Sequence, residues 1–327
     1  MAEPRARDRY FDLLRVVAII RVSVFHMFPY ALLELAFPSM GVMFALAGSL
    51  MAGSLARSAT PRVLYGRVRR LLPAYWVLAA IVVPVMLLEG WDDRPALWRM
   101  LAWIVPFTDP PYNALGEQAG EVLWYLVTYF WLVLLSPLML WLYRRARPAA
   151  ILLPLALLVF HHSDLLMYAP CWILGFAHRD GSLRRVPAWL VTLLAVGCVG
   201  GGLAYAHVTS TTLPDTFIPY AVYQLGFVLV LLRGRPSVPA SRWVSLVNAR
   251  AVTIYLWNNV AIALCFPVGD VFEAWRLGQA GYALIALALL ANAVLLFGWV
   301  EDVAARRRPR FLPWPSFQSD RLAHALR

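Results

Sequence analysis

The chain contains no lysine, so all 29 of its basic residues are arginine. That uniformity reads as genomic base composition and carries no mechanistic information. Cysteine is scarce as well. Cys171, Cys198 and Cys265 fall in or beside apolar segments without paired spacing, which excludes a disulfide framework and a thiolate metal site. With charged residues at 14% and hydrophobic residues at 61%, a soluble globular chain is excluded too. The sequence lacks a Gly-x-Ser-x-Gly elbow and a His-Glu-x-x-His helix, which removes the commonest hydrolase templates. His161-His162-Ser163-Asp164 invites a metal, but adjacent histidines rarely converge on one ion and no third ligand has suitable spacing. No metal is expected. The net charge of +11 does not point to nucleic acid either, because the arginines cluster beside apolar runs, as membrane-orientation signals do.

What the chain has is apolar length. Runs near residues 12–31, 38–56, 71–89, 121–142, 149–161, 165–178, 187–206, 215–232, 250–267 and 279–300 predict about ten transmembrane helices in an all-α, polytopic integral membrane protein. The fifth and sixth runs are short and interrupted by Pro154 and Pro170, so they could be kinked, re-entrant or a helical hairpin. A cytoplasmic N-terminus leaves only Arg94, Arg99 and Arg276 on the outer side and Arg15 and Arg21 within the first span. All other arginines fall inside, and the positive-inside rule fixes this orientation, with both termini cytoplasmic. Arg5, Arg7 and Arg9 before an apolar run resemble a signal sequence, but the run carries charges and no close cleavage site; an uncleaved first helix is expected. The acidic, tryptophan-rich segment of about 90–120 should fold over the outer face. Residues 1–327 read as one integral domain with a short basic tail after about 306, in the cytoplasmic membrane.

The first span organises the rest. It carries Arg15, Arg21 and His26, and an ionisable group at membrane depth costs about 2.5–3.5 kcal/mol on insertion scales. Such groups face a partner, a cavity or a substrate path. Arg15 and His26 are eleven positions apart, about 20° from eclipsed and ~16 Å apart in rise, so they line one face at two depths. Arg21 lies about 120° away and should answer another partner. Asp12 could satisfy Arg15 locally, and a lone membrane histidine can be structural; the pairing on one face favours function. Arg67 and Arg70, spaced i,i+3 at the mouth of the third span, could be plain topology signals. Together with Arg15 they also make a clamp for phosphate oxygens. Glu34, eight residues past His26, is either a solvated loop carboxylate or the group that orients the imidazole. Gly41, Gly48 and Gly53 in the second span permit close helix packing or the passage of a slender acyl arm.

Asp12-Leu-Leu-Arg15 with His26, the stretch Gly41 to Gly48, and Arg67-x-x-Arg70 followed by Leu71-Leu-Pro73-Ala-Tyr75 resemble the integral-membrane acyltransferase family three. Leu123-Trp124-Tyr125-Leu126, Leu135-Ser136-Pro137, Leu174-Gly175-Phe176 and Thr253-Ile-Tyr255-Leu-Trp257 extend the likeness along the chain. Two positions depart from the family pattern: Ala47-Gly48 replaces Ser-Gly, and Asn258 follows Trp257 where many members have histidine. The resemblance implies acyl-CoA as cytoplasmic donor, without metal, and a hydroxyl-bearing acceptor such as a glycan. It implies His26 as the catalytic residue, and Arg15, Arg67 and Arg70 as donor-binding residues; Glu34 joins His26 as a catalytic candidate through the orienting role read above. Some members append an extracytoplasmic hydrolase-like domain; here the membrane domain is expected to deliver the acyl group itself. The alternative is a transporter or flippase whose path is lined by Arg15, Arg21 and His26. Such a fold is expected to show internal repeats, and none is evident in this sequence.

Overall fold

The computed structural model describes residues 8–91, 93–234, 236–265, 267 and 278–311. It is 79% helical, with no strand among the described residues. Each of the ten apolar runs holds a helix. Five segments are long and apolar enough to cross a membrane: Ala31–Leu55, Thr60–Glu89, Glu117–Arg145, Ala188–Thr209 and Gly278–Phe297. Arg235, Arg276 and the terminal arginines at 5, 7, 321 and 327, all used in the charge argument, lie outside the described residues.

Helix α1 (Arg9–Met27) starts at Asp8, whose carboxylate accepts the Phe11 N–H at 3.2 Å. It stops because Phe28 takes the extended conformation required before Pro29. A short helix, α2 (Ala31–Ala36), turns the chain into α3 (Ser39–Leu55). Helix α4 (Thr60–Glu89) is 30 residues long, and its N-terminal turns include Arg62, Arg67, Arg69 and Arg70. The basic cluster expected at the mouth of the third span is thus part of one continuous helix, which ends at Gly90, φ 93°.

Beyond α4 the chain runs over the helix ends through α5 (Leu97–Met100) and α6 (Glu117–Gly120). This segment is pinned. Tyr75 donates to the Ala102 carbonyl at 2.6 Å, Trp76 to Ile104 at 2.7 Å and Trp131 to Phe107 at 2.8 Å. Asn113 donates to the carbonyls of Met86 and Gly90. Helix α7 (Trp124–Arg145) returns, and α8 (Arg147–Leu158) with α9 (Asp164–Arg179) form a packed hairpin. At 12 and 16 residues, both are shorter than the ~20 that span a bilayer core straight. Every residue of α9 from Met167 to His178 is buried, so this helix is enclosed by protein.

The tightest pair is α3 with α9. A Cβ at Gly48 would lie 2.2 Å from the Trp172 carbonyl oxygen, and one at Gly175 would lie 2.1 Å from that of Ala45. Trp172 donates to Ser136 Oγ at 3.0 Å, and Ser136 in turn to the Leu132 carbonyl. Around this pair α1, α7, α8 and α12 (Phe217–Arg233) complete one core, linked through α10 (Ser182–Arg185) and the lipid-facing α11 (Ala188–Thr209). A second core joins α4, α14 (Ala251–Ala263) and the Gly278–Phe297 helix, with α13 (Arg242–Ala249) leading into α14. The candidate residues Arg15, His26, Arg67 and Arg70 gather where these two cores meet.

Candidate functional site

A cavity of about 320 Å³ opens between the two cores. Arg15, His26, Arg67 and Arg70 all line it. The eleven-residue spacing on α1 puts Arg15 and His26 on its wall at two depths, and the i,i+3 spacing on α4 puts Arg67 and Arg70 on the facing wall. Met43, Ala47, Leu50 and Leu71 supply the apolar surface of the lining. The glycines of α3 serve helix packing: Gly41 meets Gln224, Gly48 meets Trp172 and Gly53 meets Arg179.

Three guanidinium groups thus share one mouth. Arg15 donates to Asn248 Oδ1 at 3.2 Å, and Asn248 is held by the carbonyls of Asp12 and Val244, each at 2.8 Å. Arg67 donates to Ser54 Oγ at 3.3 Å. Arg70 is exposed and stands in the field of Arg67, Arg69 and Arg307. Among the described residues that line the cavity the sole carboxylate is Glu301, and Thr253 N and Oγ1 engage it at 2.8 and 2.6 Å. It caps the first turn of α14. Like charges held this close favour an anion between them, and the guanidinium fork suits phosphate oxygens.

Arg307 reaches this mouth because the segment after Gly298 is locked down. Arg250 pairs with Asp302 at 2.8 Å, fully buried, and donates to the Arg310 carbonyl at 2.5 Å. A Cβ at Gly298 would lie 2.6 Å from Arg250 Cδ.

At the other depth His26 sits in the last turn of α1 and lines the cavity. Its Nδ1 lies 3.4 Å from Asn259 Nδ2, and Asn259 is joined to Asn258 at 3.0 Å. Glu34 is elsewhere. Because α1 ends at Met27 and α2 turns away, Glu34 accepts the Tyr220 hydroxyl at 3.1 Å and faces the charge of Arg21. No hydrogen bond joins it to His26 among the described residues; the side chain beside His26 Nδ1 is Asn259. Arg21 donates to the Leu33 carbonyl at 2.8 Å, lies 5.0 Å from the centre of the Phe25 ring and does not line the cavity.

Asn248, Asn258, Asn259, Tyr125, Tyr129, Tyr255 and Glu301 also line the cavity. None of these was singled out for a role from the sequence: an uncharged amide or phenol in an apolar run carries little signal alone, and Glu301 falls just past the last run, where a charge is ordinary. The exception within reach was Asn258-Asn259, two adjacent amides inside a membrane-length run.

This geometry meets the comparison with known families directly: the family model described as an acyltransferase domain, acyltransferase family 3, matches residues 8–300. The chain belongs to acyltransferase family 3. Nothing among the curated proteins or the solved structures matches it. Family and apolar helices together make this chain a multi-pass membrane acyltransferase. That membership displaces the transporter alternative, whose path also required Arg21 on the cavity wall.

Proposed function

We propose that this family 3 acyltransferase takes an acyl group, most simply acetyl, from acyl-CoA on the cytoplasmic side. It transfers that group to a hydroxyl of a carbohydrate or another envelope or secondary-metabolite acceptor. The observation that carries the reading is a single cavity lined by three arginines at one depth and by a histidine at the other. The separation of ~16 Å along α1 suits a donor whose phosphates and thioester are far apart. Arg15, Arg67 and Arg70 bind the phosphates. The apolar wall of Met43, Ala47 and Leu71 accepts the slender arm, and His26 takes the acceptor's proton as its oxygen attacks the thioester carbonyl. The new C–O bond forms, the C–S bond breaks, and the proton on His26 passes to the departing thiolate.

The proposed topology is ten crossings of the cytoplasmic membrane by one integral domain, with both termini inside. Supporting it, Arg67, Arg70 and Arg307 come together at one end of the bundle. The Trp91–Trp103 segment, whose aromatic rings suit sugar faces, would then lie on the acceptor side. Glu34 is assigned to balancing Arg21 rather than to orienting the base.

The test is acyl-CoA consumption by purified protein in detergent, with mass spectrometry of candidate glycan acceptors. Thioester turnover that rises with an acceptor and yields the acylated product is expected. No turnover with any short-chain acyl-CoA, from protein shown to be folded, would overturn the reading.

A further inference from the structure

Asn258 and Asn259, at 3% and 4% exposure, are among the most buried polar side chains in the molecule, and both line the cavity. They form a chain of side-chain amides ending on His26: Asn258 Nδ2 to Asn259 Oδ1 at 3.0 Å, then Asn259 Nδ2 to His26 Nδ1 at 3.4 Å. The other end, Asn258 Oδ1, is buried and meets no partner among the described residues.

The two ends of an amide are nearly isosteric, so its orientation follows from the hydrogen-bond network. With Asn259 Nδ2 donating to His26 Nδ1, the neutral ring carries its proton on Nε2, and no free lone pair remains to receive a proton. Either orientation leaves one buried atom of Asn258 unsatisfied, a carbonyl oxygen or an N–H, at about 1–3 kcal/mol, so the need for a free lone pair on the ring is what chooses between them. Turning both amides over keeps every heavy-atom distance and reverses each donor. His26 Nδ1–H then donates to Asn259 Oδ1, and Asn259 Nδ2 donates to Asn258 Oδ1. Nε2 is left with a free lone pair, so one change makes the ring a base, while the outer atom of the Asn258 amide stays buried.

Building on the acyltransfer reading above, we propose that Asn259 is the positioning residue that holds His26 as the Nδ1–H tautomer. Asn258 Oδ1 accepts from Asn259 Nδ2 and fixes that amide's orientation. An amide chain fixed on α14 needs no reorganisation when charge develops on the ring.

The experiment has two arms. In the first, protein carrying 15N-histidine is studied by magic-angle-spinning NMR in lipid, with the His26 signal assigned from its loss in His26→Gln. The Nδ1–H tautomer is expected in the wild type and its loss in Asn259→Leu. In the second, single-turnover transfer and donor affinity are measured separately with acetyl-CoA as probe. Asn259→Leu should slow transfer about 10²-fold, and Asn258→Leu by less, because it removes only the support of Asn259, with donor affinity kept within about twofold in both. Asn259→Asp, which still accepts from Nδ1–H, should recover most of the rate lost in Asn259→Leu. An Nε2–H tautomer in the wild type overturns the proposal, as does a transfer rate in Asn259→Leu close to wild type or an Asn259→Asp no better than Asn259→Leu. If the wild type consumes no acyl-CoA, the acyltransfer reading fails, while the tautomer measurement still decides whether the amide pair sets the ring.

Discussion

Arg70 is the residue where charge says most about ligand, because Arg67, Arg69 and Arg307 all push against it and nothing acidic on the cavity wall is left to answer them. An anion of high charge relieves that repulsion, and its removal should be felt as lost donor affinity. Arg70→Ala is expected to weaken acyl-CoA binding and flatten its salt dependence. Arg70→Lys should recover only part of it, because a point charge replaces a bidentate fork. Isothermal titration in detergent at several salt concentrations checks this; unchanged affinity in Arg67→Ala/Arg70→Ala would reduce both residues to topology signals. Glu34 makes the contrasting case. Its hydrogen bond goes to Tyr220, so Glu34→Gln should lower the transfer rate far less than a substitution of His26 does. Equal losses in the two variants would return Glu34 to the base.

The crossing of α3 and α9 sets how far the bundle tolerates change. Gly48 and Gly175 let two backbones touch, and a methyl group at either would meet a carbonyl oxygen at little more than 2 Å. Gly48→Ala should therefore destabilise the protein by about 1–3 kcal/mol, the usual cost of overpacking. A thermal-shift assay in detergent reads it as a lowered Tm, and an unchanged Tm would mean the helices separate freely. The apolar runs foretold this helix set well, since membrane length and composition mark a helix whatever its neighbours are. They did not reveal that α9 is enclosed by protein on all sides, because a buried helix and a lipid-facing one share the same composition. Nor did they carry the basic stretch Arg62 to Arg70 into α4, since arginine reads as a boundary from sequence alone.

At the scale of the whole molecule the site is a seam between two packed cores, and that is why only part of it was legible. The spacing of Arg15 to His26 and of Arg67 to Arg70 lies within single helices, so periodicity exposes it. Asn248, Asn259 and Tyr255 arrive from helices more than two hundred residues away, and only tertiary packing brings them to α1. The proposed orientation is checked by impermeant thiol labelling of intact cells in a background lacking Cys171, Cys198 and Cys265. Asp93→Cys should label from outside, while Arg145→Cys and Arg308→Cys should label only after permeabilisation; the reverse pattern would invert the topology.

One measurement bears on the central claim that clamp and base occupy two depths of one cavity. It is the pair of constants, donor affinity and single-turnover transfer rate, for His26→Gln at several pH values. A general base acts only when unprotonated, so the wild-type rate should fall as pH drops through the titration of His26. His26→Gln should lose about 10²–10⁴-fold in rate and the pH dependence with it, while acyl-CoA binds nearly as before, since Arg15 lies ~16 Å away along α1. A His26→Gln protein that transfers the acyl group at close to the wild-type rate, with the same pH profile, would contradict the account.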